Sequence, residues 1–193
     1  MDLSHEAGHI AHGIKMWRLN MALAQMLKHH NLIEDGHFTF KSADSYYLRQ
    51  IEFLHLSLFK EPMPEWLRWV YRFRLYELGS VIVNEEDRVI AYDLFMFNAG
   101  EYREHILHEL YVGVDPEFQG QGLSTLLRQF SASMYNYGRL SAISTVASEY
   151  DIKALRSAQK SGFSITKRSL RPPGHYLLLN LVRRLDYEVP EPV

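Results

Sequence analysis

Between an apolar run, His108 to Val114, and a helix-periodic stretch that opens near Leu123 lies the segment Asp115-Pro116-Glu117-Phe118-Gln119-Gly120-Gln121-Gly122. This juxtaposition constrains the chain more than any other feature. It reads as a strand that delivers a glycine-rich turn to a helix N-terminus. Such a turn presents free backbone N–H groups and the positive end of a helix dipole, an arrangement suited to anions and to phosphates above all. The strand that follows the helix then pairs in parallel with the one before it.

The surrounding pattern supplies the context. A helix is expected from about Ala7 to His30, with Ile10, Ile14, Trp17, Met21 and Ala24 on one face, and Asn31 to Gly36 reads as a turn. His37 to Lys41 alternates like a short strand, and Ser42 or Asp44 can cap a helix through Leu48, Ile51, Phe53, Leu54 and Leu58. Pro62 and Pro64 open a further helix in which Trp66, Trp69, Phe73 and Tyr76 recur at helical spacing. Ser80 to Asn84 and Val89 to Phe97 form a hairpin, followed by the strand His105 to Val114. After the glycine turn come a helix capped near Gly138, a strand from Leu140 to Ala147, and a helix from Ser148-Glu149-Tyr150-Asp151 to Gly162. A hairpin of Phe163 to Arg168 and His175 to Arg183 closes the order. The expected class is α/β (α+β): helices on a mixed, mostly antiparallel sheet, with an extra N-terminal helix.

The domain reading is an N-terminal helical extension over 1–36, one domain over 37–186, and a frayed tail from Tyr187 to Val193. With 193 residues, 47% of them hydrophobic, the chain can bury a proper core. A net charge of −2 offers no general attraction to nucleic acid or to an anionic membrane. Cysteine is absent, which excludes disulfides, thiolate metal sites and a cysteine nucleophile. With no signal-like or bilayer-length apolar run, a cytoplasmic protein without nucleic-acid or membrane partners is expected.

Two signature segments resemble the GNAT superfamily of acetyl-CoA-dependent N-acetyltransferases. The turn Q/R-x-x-G-x-G/A is met at Gln119 and Gly122, with Ser124 in the final small position, and Val114-Asp115-Pro116 stands where the family has Val-x-Pro. The second signature, N-x-x-A-x-x-x-Y-x-K-x-G-F, is met at Ala154, Lys160, Gly162 and Phe163, but Asp151 replaces Asn and Ala158 replaces Tyr. The resemblance runs from about Phe38 to Leu185 and is sharpest from His108 to Phe163.

The resemblance implies a GNAT-type acyltransferase fold and direct transfer of an acetyl or other short acyl group from acyl-CoA to an amine. It implies that the backbone of Val112, Gly113 and Val114 pairs with the pantetheine arm. The amides of Gln119, Gly120, Gln121, Gly122, Leu123 and Ser124 would hold the pyrophosphate without a metal. His108 falls where many relatives place a general base, and imidazole exchanges protons near neutral pH. Glu109 points to the other face unless a bulge intervenes; the plain alternatives are a hydrogen-bonded sheet histidine and a solvated glutamate. Alanine at 158 removes the family's usual acid, leaving Tyr150 or Ser157 as candidates, while Asp151 reads as a helix-terminal carboxylate. That loss keeps open a second reading, a module that binds acyl-CoA or an acyl carrier without turnover.

The acceptor, a small-molecule or peptide amine, would be gripped by Ser57 to Leu78, Asn98 to Arg103 and Ser169 to Tyr176. Those stretches include Trp66, Trp69, Arg68, Arg72, Tyr102, Arg171, His175 and Tyr176. The aromatic stripe reads equally as core with the arginines as a solvated face. His5-Glu6-Ala7-Gly8-His9 matches H-E-x-x-H, with His12 on the same helical face. A zinc site there needs a third ligand and a cleft, and Gly8 weakens the helix, so no metal is expected. The apolar stripe of the N-terminal helix must be buried on its own domain or on a second copy, which allows a homodimer.

Overall fold

The computed structural model describes residues 3–27, 32–135, 140–170 and 172–181. In chain order these form α1 (Leu3–Ala24), β1 (Leu32–Asp35), β2 (Phe38–Ser42), α2 (Leu48–Phe59), α3 (Glu65–Leu78), β3 (Gly79–Val83) and β4 (Val89–Met96). There follow β5 (Ile106–Val114), α4 (Leu123–Tyr135), β6 (Ala142–Ser148), α5 (Ile152–Lys160), β7 (Ser164–Leu170) and β8 (Pro173–Asn180). His30, Asn31, Tyr137, Gly138, Arg171, Arg183 and the tail Tyr187 to Val193 lie outside the described residues, as do the side chains of His5, Glu6 and His9.

Among the described residues the strands form one sheet in the order β1-β2-β3-β4-β5-β6-β8-β7. Every pairing is antiparallel except β5 with β6, the pair that α4 connects. The expected mixed sheet is therefore present. Leu32–Asp35 departs from the expected turn: Gly36, at φ +59°, closes a two-residue hairpin and lets these residues pair with β2 as the edge strand. The sheet thus begins before the boundary read at residue 36.

α4 covers one face. Phe130 packs on Phe40 and Tyr135 on Phe95, while Leu123, Leu127 and Met134 complete its buried side. Burying each such side chain contributes about 1.5–3 kcal/mol. α2 and α3 cover the opposite face, where Leu67, Val70, Tyr71, Leu75 and Leu78 of α3 are buried. With both faces covered, β3 and β4 are buried along their whole length, which explains their near-continuous apolar sequence. β7 is exposed throughout, and Lys167 and Arg168 protect it as an edge.

α1 packs on α3, but by a different face from the one its periodicity suggested. The buried positions are Gly13, Met16, Asn20, Ala24 and Leu27, whereas Ile10, Ile14 and Trp17 are exposed. The reason is a polar anchor. Asn20, fully buried, accepts from the Phe97 amide at 2.6 Å and donates to the carbonyls of Phe97 (3.1 Å) and Met16 (2.9 Å). These bonds satisfy the end of β4 and fix the rotation of α1. Similarly, the stripe Trp69, Phe73 and Tyr76 is exposed, because α3 buries the adjoining face.

Asn20→Ala leaves both polar groups of Phe97 buried and unpaired, so it should destabilise the fold by about 2–4 kcal/mol. Denaturant unfolding checks this; an unchanged midpoint would mean that α1 is not anchored at Phe97.

Candidate active site

β5 and β6 pair only from Ile106 with Ala142 to Glu109 with Thr145. Beyond that point Tyr111 to Val114 keep their β4 neighbour, and Val146 to Ser148 pair only with β8. A wedge therefore opens between two parallel strands. At its mouth the chain turns through Asp115, whose carboxylate accepts from the Glu117 amide at 3.0 Å and pairs with Arg88. Gln119 braces the turn by donating from Nε2 to the Val114 carbonyl at 3.0 Å.

Gly120 and Gly122 take φ of +82° and +80°, a conformation that disfavours side chains, and each faces open space. The amides of Gly120 to Ser124 make no backbone hydrogen bond among the described residues; those of Thr125 and Leu126 bond to the Gly122 carbonyl. The turn thus leaves these amides free of backbone partners, whereas the Gln119 amide, expected among them, bonds the Pro116 carbonyl at 3.4 Å. The turn borders a cavity of about 540 Å³ lined by Val112, Val114, Phe118, Gln119, Gly120, Gly122, Leu123 and Ser124.

Gln121 is exposed and outside the lining, and Gly113 turns its Cα toward α2, where a Cβ would come within 2.6 Å of the Tyr92 ring, so each has only its backbone to offer the cavity. α5 supplies the opposite wall with Lys153, Ala154, Arg156, Ser157 and Lys160. None of its three cations forms an ion pair among the described residues. Lys153 and Arg156 were not singled out from the sequence, although their spacing with Lys160 places them on one helical face.

Beneath the turn lies a buried ion pair. Glu109, 2% exposed, receives Arg128 Nε at 2.9 and 3.1 Å and Nη2 at 2.9 Å. Arg128 Nη1 donates to Ser157 Oγ at 2.9 Å, and Ser157 also meets Ser124 (2.9 Å) and Thr125 (3.2 Å). Glu109 is thus neither a solvated charge nor a group facing His108, and Ser157 is a buried link between α4 and α5. Asp93 lies on the same face, fully buried and bonded to Ser131 at 2.8 Å. Burial and the Glu109 charge, opposed by Arg128 and the Ser131 bond, push its carboxyl well above the usual range.

The opposite face of β5 carries His108. The only bulge in the β4–β5 pairing falls at Leu110, beyond both candidates, so His108 and Glu109 alternate as in a regular strand. The bulge returns Tyr111 to the face of His108, where its ring meets His55 (4.6 Å) and Phe59 (5.4 Å) of α2. His108 Nδ1 lies 2.8 Å from Ser144 Oγ and 3.4 Å from Glu101 Oε2, and Tyr176 donates its hydroxyl to Glu101 Oε1 at 2.5 Å. Burial opposes ionisation of Glu101, but hydrogen bonds from His108, Ser144 and Tyr176 prevail and hold the carboxyl at about 2. Burial, then the bond to Glu101, pushes the Tyr176 phenol up to about 12.

Glu101 and Ser144 were missed in the sequence because their meeting with His108 depends on the β5–β6 register. Tyr150 is 77% exposed and takes no part in this cluster; the phenol that does is Tyr176. Asp151 caps α5, accepting from the Ala154 amide at 2.9 Å, and Ala158 is fully buried. Trp66 and Trp69 border α1 rather than this cluster, and Arg68 is paired with Glu52 at 2.7 Å. His12 is exposed, with its ring edge-on to Trp66.

Two outcomes follow from these networks. Arg128→Met leaves the buried Glu109 carboxylate without its cation and should cost about 3–5 kcal/mol in denaturant unfolding near pH 8. For Glu101, the folded pKa of about 2 lies below the ordinary 4.5. Its stabilisation is thus present above about pH 4.5 and lost as pH falls through about 2. Glu101→Gln should flatten the acid limb of the stability curve in that window, and an unchanged limb would contradict the cluster.

The family described as Acetyltransferase (GNAT) matches residues 43–163. No curated protein sequence matches the chain. Among solved structures, the NatC complex bound to Gag peptide and CoA aligns at a TM-score of 0.64 and 17% identity, over 76% of this chain and 99% of that one. The acetyltransferase yncA from Salmonella typhimurium, solved with acetyl-CoA, aligns at 0.62 and 15%, over 80% and 99%. A variant of the spermidine N-acetyltransferase SpeG from Vibrio cholerae aligns at 0.60 and 16%, over 79% and 98%. At these identities the structures speak for the fold, and the family match covers most of the chain: the protein belongs to the GNAT acetyltransferase family.

Proposed function

We propose that the protein transfers an acetyl or other short acyl group from acyl-CoA to the amine of a small molecule or peptide, with His108 as general base and Glu101 positioning it. The observation that carries this reading is the β5–β6 wedge, which joins an amide-lined anion cradle to a carboxylate–imidazole cluster. Relatives of the same fold bear on both substrates: one was solved with acetyl-CoA, one with CoA and a peptide, and one is named for spermidine.

In this reading the amides of Gly120 to Ser124 hold the pyrophosphate, and Lys153, Arg156 and Lys160 face the remaining phosphate charge. The open edge of Val112 to Val114 receives the pantetheine arm. With Nδ1 committed to Ser144 and Glu101, Nε2 of His108 takes the proton from the amine as its nitrogen attacks the thioester carbonyl. The new C–N bond forms, the C–S bond breaks, and the imidazolium is stabilised by the ionised Glu101. CoA leaves as a thiolate. An ordinary thiol pKa of about 8.5 lets that thiolate take its proton from water, so Ala158 does not bar the reaction. No metal has a role in this scheme, and the reading places the reaction in the cytoplasm.

His108→Gln should lower kcat by about 10²–10⁴-fold on a responsive amine while leaving the acetyl-CoA Kd within a few-fold of wild type. Titration calorimetry and CoA release from an amine panel measure both. A near-wild-type rate removes His108 from the mechanism. Tight acetyl-CoA binding with no turnover on any amine would instead identify a binding module.

A further inference from the structure

α1 and α3 lie side by side and run in the same direction: Gly13 approaches Trp66, and Gln25 receives a hydrogen bond from Arg74. Their shared outward face is apolar. On α1, Ile10, Ile14 and Trp17 are 64%, 49% and 36% exposed; on α3, Trp69, Phe73 and Tyr76 are 46%, 55% and 44% exposed. Scattered apolar residues on a surface need no explanation, but a contiguous patch of this kind marks an interaction site.

The face has two halves. Its N-terminal half is a groove of about 540 Å³, floored by Gly13 and bordered by Ile10, Trp17, Trp66 and Trp69. Its C-terminal half is a ridge, where Phe73 stacks on Trp69 at 6.3 Å with the rings 16° from parallel. Tyr76 continues that ridge one turn further along α3. A groove and a ridge in line on one face make it self-complementary under a two-fold axis normal to the helices.

Charge follows the same symmetry. Glu65 stands at the groove end of α3, and Arg72, two turns on, stands at the ridge end with its guanidinium over Trp69 at 5.6 Å. Neither forms an ion pair among the described residues. The extent is also adequate. Aromatic side chains of about 150–250 Å² each, here roughly half exposed, together with the two isoleucines present several hundred Å² per copy. A standard interface buries about 800 Å² per partner, most of it around such a patch.

We propose that this face joins two copies of the chain, the ridge of each entering the groove of the other and Glu65 of each meeting Arg72 of its mate. α1 precedes the residues matched by the family, so the interface uses an element added to the shared core. It also leaves the β5–β6 wedge open, since α3 lies against β2, β3 and β4 and α1 packs on α3.

Sedimentation velocity of the full chain from about 1 to 100 µM tests this, over the range in which interfaces of this size associate. A dimer is expected. Phe73→Glu and Ile14→Glu, both at exposed positions, should each shift it to monomer with an unchanged circular dichroism spectrum. Glu65→Arg and Arg72→Glu should each weaken association about ten-fold or more, and the double swap should restore most of it. A wild-type chain that sediments as a monomer throughout overturns the proposal. So does a dimer that Phe73→Glu and Ile14→Glu leave intact, or a double swap that fails to rescue.

Discussion

The pair between Glu109 and Arg128 stands at the point where β5 and β6 part, and the geometry of the donor site depends on it. A wedge in a sheet is a defect: backbone groups lose their neighbours, and nothing in the strands themselves sets how far they separate. Here the last shared residues, Glu109 and Thr145, are locked by Thr145 Oγ1 donating to the Glu109 carbonyl at 3.2 Å. The Glu109 carboxylate holds Arg128 of α4, and Arg128 holds Ser157 of α5. One charged contact therefore ties together both walls of the cavity and the strand that floors it. A buried ion pair is an expensive way to gain stability, but breaking it would leave an uncompensated charge in the core, so it specifies one arrangement strongly. Asp93 fits the same logic. Arg128, Glu109 and Asp93 share that face; burial and the Glu109 charge disfavour ionisation of Asp93, while Arg128 pairs directly with Glu109.

The two faces of β5 consequently do different work. One carries Glu109 toward α4 and the core; the other carries His108 toward Ser144, Glu101 and Tyr176. Strand alternation alone separates a structural carboxylate from the imidazole of the proposed mechanism one residue away. The bulge at Leu110 then resets the alternation, so that Tyr111 joins His108 on one face while Val112 and Val114 face the cavity beside the glycine turn.

What was legible in the sequence, and what was not, follows from the range of the interactions. The glycine turn, the capping of α5 by Asp151 and the order of elements rest on contacts between near neighbours, and their residue types announce them. Gly113 was read as part of the donor site because of its position, although the strand needs a glycine there to admit the Tyr92 ring. Periodicity located the apolar stripes of α1 and α3 but could not say whether they were covered. The face that α1 buries was chosen by Asn20, a polar residue that pattern reading assigns to solvent. Glu101 and Ser144 carried no local signal, since a sheet register and a turn after β4 bring them to His108.

Opposite charges divide the two sides of the wedge, and the proposed chemistry has a use for both. In the proposed scheme the donor, a polyanion, meets Lys153, Arg156, Lys160 and a helix N-terminus, which line the cavity. An amine acceptor arrives largely as an ammonium ion, gives one proton to solvent to free its lone pair, and gives a second to Nε2 of His108 as its nitrogen attacks. Glu101 remains a carboxylate at neutral pH, because its hydrogen bonds hold its pKa at about 2. It can attract the ammonium, hold the His108 ring through Nδ1, and stabilise the imidazolium formed when Nε2 takes the proton. Tyr176 stays a phenol, with its pKa pushed to about 12, so it donates to Glu101 without competing for the charge. Deprotonating the nucleophile is thus the step these side chains are arranged to assist. Protonating the thiolate is left to water, which is consistent with an alanine at 158.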